Sequence, residues 1–318
     1  MSDSGRRGVH WAEIGESTFV AGIWFLYWVN RLLGRLPFRV CLYPIVAWYW
    51  ATRPLARRAS LDYLVRMEQA TGAIGSPPGW RHSIRHFICF AETLLDKLLA
   101  MSGRYGYDRI RFESVDLMLA RIDSGRGAVL VTAHMGCLEL CRVIAGRRRN
   151  LRLNVLVHTA HAERFNRLIR RVNPDAGLNL IQVTEVSPAT AVQLSQRIEA
   201  GEFVAIAGDR VPVGFGRTTQ APFLGTAADF PVGPYVLAAL LKCPLYLMAC
   251  LREGDGHVVR FEQIADSVVL PRGRRDAALA ALASDYAARL QVLLCRAPYE
   301  WFNFYPFWDS NAHDRPAP

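Results

Sequence analysis

His134 stands where a run of small and β-branched residues, Ala128–Ala133, gives way to a glycine-bearing turn and an apolar stretch that carries Glu139. An imidazole and a carboxylate held close together make a general base: the carboxylate fixes the ring tautomer and raises its basicity, and the other nitrogen takes a substrate proton. On one continuous helix a five-residue step separates two side chains by about 140°. The two residues therefore meet only if His134 lies in the turn and Glu139 in the first turn of the helix, reaching back. One His and one Glu at this spacing also occur in many chains with no chemistry attached. What singles out this pair is its setting between a buried strand and a helix start, where reactive groups are held rigidly.

A second polar step, Gly208-Asp209-Arg210, follows the apolar run Phe203–Ala207. If the strands are parallel, it opens on the same edge of the sheet as His134, the edge where open α/β sheets bind ligands. Arg210 there can bind a phosphate or stabilise an oxyanion, and Asp209 can orient it or an acceptor group. Residues alone leave open a plain surface Asp–Arg turn. Two other histidine groups suggest metal. His82 and His86 are four apart on one helix face, with no third ligand nearby in sequence, and read as a solvated basic face. His158, His161 and Glu163 lack HExxH spacing and read as a polar or substrate-contacting turn rather than a zinc site. No metal is expected.

The elements that must position these groups alternate from residue 112 onward. Helices are expected over Ser114–Ser124, Met135–Gly146, Ala162–Val172 and Pro188–Ala200, and strands over Ala128–Ala133, Arg152–Thr159, Leu178–Thr184 and Phe203–Ala207. That alternation predicts an α/β fold, a mainly parallel central sheet flanked by helices. Pro244–Arg252 and His257–Gln263 read as a strand pair around the turn Glu253–Gly256, and Arg275–Cys295 as a long helix. Ahead of this lie Ala59–Glu68 and Arg81–Met101, amphipathic helices separated by the breaker Gly72–Gly79. The breaker divides the chain into an N-terminal helical appendage, residues 1–78, and an α/β domain, 79–318.

Six of the eight tryptophans precede residue 81, and the apolar stretches Phe19–Val29 and Leu36–Trp50 are flanked by arginines. The first is too short to span a bilayer, and the second is interrupted by Pro37, Arg39 and Pro44. Both suit helices lying in the membrane interface, although core helices of a lipid-free protein would read alike. No cleavage pattern of a signal peptide follows Met1–Ser17. The net charge of +10 implies an anionic partner; arginines scattered among tryptophans carry no nucleic-acid reader motif. Seven cysteines without a CxxC pair read as reduced residues on the cytosolic side.

The block TAHMGCLE resembles the first motif of the lysophospholipid acyltransferase superfamily, a His, four residues, then an acidic residue. It is most similar to the lipid A late-acyltransferase branch and its relatives linked to aryl polyene and other polyketide-type lipids. HWAEIGE, containing His10, Trp11 and Glu13, resembles an N-terminal phrase of those relatives. Ala221–Ala238, with Phe223, Leu224, Gly225, Pro231, Gly233 and Pro234, resembles the aromatic-Leu-Gly to Gly-Pro segment of the family, and Pro298–Trp308 its closing aromatic segment. The resemblance runs from about residue 10 to 308. Glu139 stands where Asp is commoner, and no Phe-Pro-Glu-Gly block of glycerolipid acyltransferases is present, which argues against a lysophosphatidate acceptor.

The resemblance implies an acyltransferase that moves an acyl chain from a thioester, on acyl carrier protein or coenzyme A, to a hydroxyl or amine of a membrane lipid or glycolipid. His134 and Glu139 would be catalytic, and Asp209, Arg210, Phe223, Gly225, Gly233 and Pro234 would bind substrate. No cofactor is implied beyond the acyl donor, and the expected location is the cytoplasmic face of the inner membrane. The Gly-x-Ser-x-Gly elbow of serine acyl-enzymes is missing. A lipid-binding scaffold that keeps the fold, and a hydrolase using the same base on water, are the competing readings.

Overall fold

Strands buried on both faces need apolar residues at every position, and two such runs make the centre of the sheet. The computed structural model describes residues 28–101, 104–141, 152–157, 178–182, 188–210 and 217–308. In it, β2 (Val129–Thr132) pairs in parallel with β5 (Phe203–Ala207), Val129 opposite Val204 and Thr132 opposite Ala207. Successive residues supply opposite layers: Val129 and Val131 of β2 face one core, while Leu130, with Ala128 just before the strand, faces the other.

Seven strands form one sheet in the order β1-β9-β8-β2-β5-β3-β4. Besides the central pair these are β1 (Ile110–Glu113), β3 (Leu153–Val157), β4 (Leu178–Gln182), β8 (Leu245–Glu253) and β9 (Gly256–Ala265). All pairings are parallel except β8 with β9, a long antiparallel hairpin turned by Gly254 and Asp255. The expected mainly parallel sheet is thus present. A separate two-stranded hairpin, β6 (Thr218–Phe223) and β7 (Thr226–Pro231), lies where sequence reading placed only a glycine-bearing segment. Its turn residues Leu224 and Gly225 both have positive φ, 48° and 82°, as the twist of a two-residue hairpin turn requires. Leu224 is held there by burial of its side chain and by its N–H donating to Gln291 Oε1.

One layer over the sheet contains α5 (Pro188–Glu199), α6 (Gly233–Leu241) and α7 (Arg275–Arg296). In α7, Leu279, Ala283, Tyr286, Leu290 and Leu294 recur at helical spacing and are buried in the core. The other layer holds α4 (Asp116–Asp123), which buries Met118. Pro234 sits in the first turn of α6, where its missing N–H costs nothing.

Three helices precede the sheet: α1 (Arg35–Thr52), α2 (Pro54–Thr71) and α3 (Trp80–Met101). Pro54 opens α2, and Gly72, with φ of 67°, closes it. The breaker at 72–79 is a fixed turn, since Glu68 accepts from the N–H groups of Ile74 and Gly75. Tyr63, Leu64 and Met67 of α2 belong to the main core, and Phe38, Leu42 and Val46 of α1 pack on Phe87, Ala91 and Leu95 of α3. Pro44 does not interrupt α1, which runs through it for 18 residues. Its other face leaves Leu36, Val40, Tyr43 and Trp48 exposed, in line with Leu32 and Leu33 before it.

Candidate functional site

Because β2 and β5 are adjacent and parallel, the residues two steps beyond their paired ends come out side by side. These residues are His134 and Asp209. Asp209 is wholly buried; its Oδ1 lies 2.8 Å from His134 Nδ1, and its Oδ2 accepts the backbone N–H of His134 at 2.8 Å. The same Oδ2 accepts from Trp301 Nε1 at 2.9 Å and Asn303 Nδ2 at 3.1 Å. Four N–H groups directed at one carboxylate strongly favour its ionised form. Burial works against ionisation, but the His134 contacts and the Arg210 charge outweigh it and hold Asp209 down to about 2.

With Asp209 ionised, Nδ1 of His134 carries the proton it donates, and Nε2 presents a lone pair. Burial first, and the Arg210 charge second, lower the His134 pKa against the pull of Asp209. The ring is therefore neutral at neutral pH, the state a general base needs. Its side chain is 34% exposed, so part of the ring is open to a ligand.

The carboxyl-terminal segment 298–308 straps this pair in place. Phe302 N–H donates to the His134 carbonyl at 2.7 Å, Gly136 N–H donates to the Glu300 carbonyl at 2.9 Å, and Met135 bridges Trp301. Gly136 is required here: its φ is +56°, and a Cβ would strike the Cys250 carbonyl. Behind the turn, Arg252 on β8 meets Glu92 at 3.1 Å and Asp96 at short range, with Glu300 at 3.8 Å. Burial pushes the Glu300 carboxyl up to about 7.

His134, Asp209 and Arg210 share one sheet edge, as the parallel reading requires. Glu139 does not meet the imidazole. Where the helix expected over Met135–Gly146 would begin, residues 135–141 form a turn followed by a 3-10 segment, Leu138–Cys141, with 142–146 outside the described residues, and Glu139 pairs with Lys97 at 3.3 Å. The physical reason is reach: Asp209 comes to Nδ1 from the neighbouring strand, while Lys97 draws Glu139 toward α3. Burial disfavours charge on Lys97, but Glu139 reverses this and raises its pKa.

Arg210 donates from Nε to Asn303 Oδ1 at 2.8 Å and from Nη2 to the Phe302 carbonyl at 3.0 Å, so it supports the strap as well as charging the site. Phe223 is buried edge-on against Trp301, Gly225 sits in the hairpin turn, and Gly233 and Pro234 open α6. Trp301 and Asn303 complete the site, whereas the sequence shows their segment only as an aromatic stretch resembling the family's closing one. The one signal in the sequence for pairing His134 with Asp209 was that each closely follows an apolar run expected to be a buried strand.

The basic-face reading of His82 and His86 does not hold: His86 is wholly buried, while His82 accepts from the Gly79 N–H at 3.1 Å. His10, Trp11, Glu13, His158, His161 and Glu163 lie outside the described residues. Among the described residues no group of three or more metal-ligating side chains converges.

Over 217 residues the chain is 27% identical to the phosphatidylinositol mannoside acyltransferase of Mycolicibacterium smegmatis (strain ATCC 700084 / mc(2)155), a match covering 67% of this chain and 66% of the relative, just short of two thirds of its length. The family model for bacterial lipid A biosynthesis acyltransferases matches residues 98–309, which contain the paired strand ends, His134, Asp209 and the strap, and the chain belongs to that family.

Proposed function

We propose that this protein transfers an acyl chain from a thioester donor to a hydroxyl or amine of a membrane glycolipid or lipid, with His134 as general base and Asp209 as its partner. The observation that carries the reading is the 2.8 Å contact between His134 Nδ1 and the buried Asp209 carboxylate. Nε2 takes the acceptor's proton as the acceptor oxygen or nitrogen attacks the thioester carbonyl. The resulting tetrahedral oxyanion collapses, breaking the carbon–sulfur bond, and the imidazolium returns the proton to the departing thiolate. Asp209 stabilises the imidazolium between those steps. A thioester is already activated, so proton removal and alignment are the main barriers, and positioned base catalysis typically supplies about 100- to 10,000-fold.

A glycolipid acceptor is supported by the mycobacterial relative, which is named for acylating a phosphatidylinositol mannoside. Acyl carrier protein or coenzyme A suits a chain of net charge +10, since both are anionic. Glu139 acts in this scheme by compensating Lys97, a second cation beside His134.

Residues 1–78 hold the protein to the cytoplasmic face of the inner membrane. The supporting observation is α1, whose Phe38–Leu42–Val46 face is buried against α3 while Leu36, Val40, Tyr43 and Trp48 face outward. At 18 residues, α1 is about 27 Å long. Packed along α3, it presents a side rather than an end to lipid, with the exposed Arg31, Arg53 and Arg58 available to anionic headgroups. Helix α7 is long and apolar enough to span a bilayer, but its apolar residues fill the sheet core.

Thioester turnover by the full chain, with and without a glycolipid acceptor and for His134→Ala, tests the proposal. Acceptor-dependent thiol release that His134→Ala abolishes is the expected result. Equal release without acceptor would make the protein a hydrolase, and glycolipid binding without turnover a scaffold.

A further inference from the structure

A chain of hydrogen bonds runs from helix α1 through the protein interior to the backbone carbonyl of Trp301, the residue whose indole donates to the carboxylate that serves His134. The indole Nε1 of Trp50 donates to Ser83 Oγ at 3.0 Å, and Ser83 Oγ donates to Ser60 Oγ at 3.0 Å. Ser60 Oγ lies 3.0 Å from His86 Nδ1, and His86 Nε2 lies 2.8 Å from the Trp301 carbonyl. Ser60, Ser83 and His86 are all fully buried.

The protons in this chain have one consistent arrangement. A carbonyl oxygen can only accept, so Nε2 of His86 carries its proton and Nδ1 a lone pair. Ser60 must then donate to Nδ1, which leaves its oxygen to accept from Ser83, whose oxygen accepts from the donor-only indole of Trp50. Protonating His86 would set an N–H against the Ser60 hydroxyl proton. Burial, outweighing the Trp301 contact, keeps the ring neutral by lowering its pKa to about 4. Rings of Tyr63 and Phe304 lie 5.5 and 4.5 Å from the imidazole and fix its plane.

Trp301 is the joint between this chain and the site. Its carbonyl is held by His86, its backbone bridges Met135, and its indole donates to Asp209. We infer that His86 is a positioning residue for acyl transfer: held as a single tautomer by Ser60, it sets the Trp301 strap and thereby the Asp209 carboxylate that orients His134. This rests on the proposed acyltransferase reading, although His86 itself touches no substrate.

Steady-state kinetics of the full chain on an acyl thioester and a glycolipid acceptor, with His86→Phe, His86→Gln and His134→Ala compared, test the inference. Phe keeps a ring but leaves the Trp301 carbonyl without this donor and the Ser60 hydroxyl proton without its acceptor. Gln can donate to the carbonyl and accept from Ser60. Expected are a fall in kcat of about tenfold or more for His86→Phe with both KM values within about twofold, and recovery of at least half of that loss, on a logarithmic scale, by Gln. Unchanged kcat in His86→Phe, a loss confined to KM, or a Gln variant no better than Phe would overturn the inference while leaving the reading intact. Persisting activity in His134→Ala would instead overturn the reading.

Should the Phe variant fail to fold, the wild-type protein decides. With nitrogen-15-labelled histidine, NMR is expected to find His86 as the Nε2–H tautomer, unchanged down to about pH 5. An Nδ1–H tautomer, or titration near the ordinary histidine value, would overturn the assignment.

Discussion

Asp209→Asn exchanges one carboxylate oxygen for an NH2 group and separates the roles of Asp209 and Glu139. The amide must place its oxygen at one of two positions. If the oxygen faces His134 Nδ1, the NH2 confronts three donors: the His134 backbone N–H, Trp301 Nε1 and Asn303 Nδ2. Each donor left buried without an acceptor costs about 1–3 kcal/mol. The opposite orientation satisfies all three and turns the NH2 toward Nδ1, which must then accept. The proton moves to Nε2, the nitrogen that has to take one from the acceptor, and base catalysis is lost. The expected loss in kcat is therefore the whole contribution of a positioned base, about 100- to 10,000-fold.

The fold should survive, since three of the four donors keep an acceptor. Asp209→Ala abandons all four, would cost several kcal/mol and is the poorer variant. Glu139→Gln loses an ion pair that is partly exposed and worth about 0.2–1 kcal/mol, a change of roughly fivefold at most. Thiol release with glycolipid acceptor, with melting curves to establish folding, measures both. The assignment of Asp209 fails if its Asn variant stays within about tenfold of wild type while Glu139→Gln falls further.

The acid limb of kcat/KM should lie below the ordinary histidine value, because His134 is active when neutral and its pKa is lowered. Activity rises with pH through that pKa, and Arg210→Gln, which removes a cation beside the ring, should move the limb to higher pH. Gly136→Ala should cost upward of about 3 kcal/mol through its positive φ and the clash with the Cys250 carbonyl, and appear as lost soluble yield or a lowered Tm. Replacing Leu36 and Val40 with Glu should release the protein from vesicles of anionic lipid without lowering its Tm, since both side chains are exposed. Retention equal to wild type would remove α1 from the membrane contact.

Much of the architecture was legible because its signals are local. Phe203–Ala207 is apolar throughout and Ala128–Ala133 is apolar except at Thr132, which suits strands covered on both faces; the helices α2, α3, α5 and α7 carry apolar residues at helical spacing. Strands alternating with helices demand a parallel sheet, and a parallel sheet puts His134 and Arg210 on one edge. The resemblance of His134's block and of the closing aromatic segment to known acyltransferases was likewise readable from short runs.

The partner of the imidazole was not. Glu139 is five residues from His134 and Asp209 is 75, and sequence separation alone favours the nearer carboxylate. Which of them reaches Nδ1 depends on strand order: β5 lies directly beside β2, with β3 and β4 beyond it, an insertion that no local pattern encodes. Tertiary packing also reversed the reading of His86, whose spacing from His82 says nothing about α2 covering one of them. The same holds for Trp301 and Asn303, which became part of the site when the carboxyl-terminal strap crossed the end of β2. Local sequence thus determined which elements form and which residues have chemistry to offer. The long-range pairing of strands, and the burial it imposes on a carboxylate and an imidazole, decided which of those residues meet.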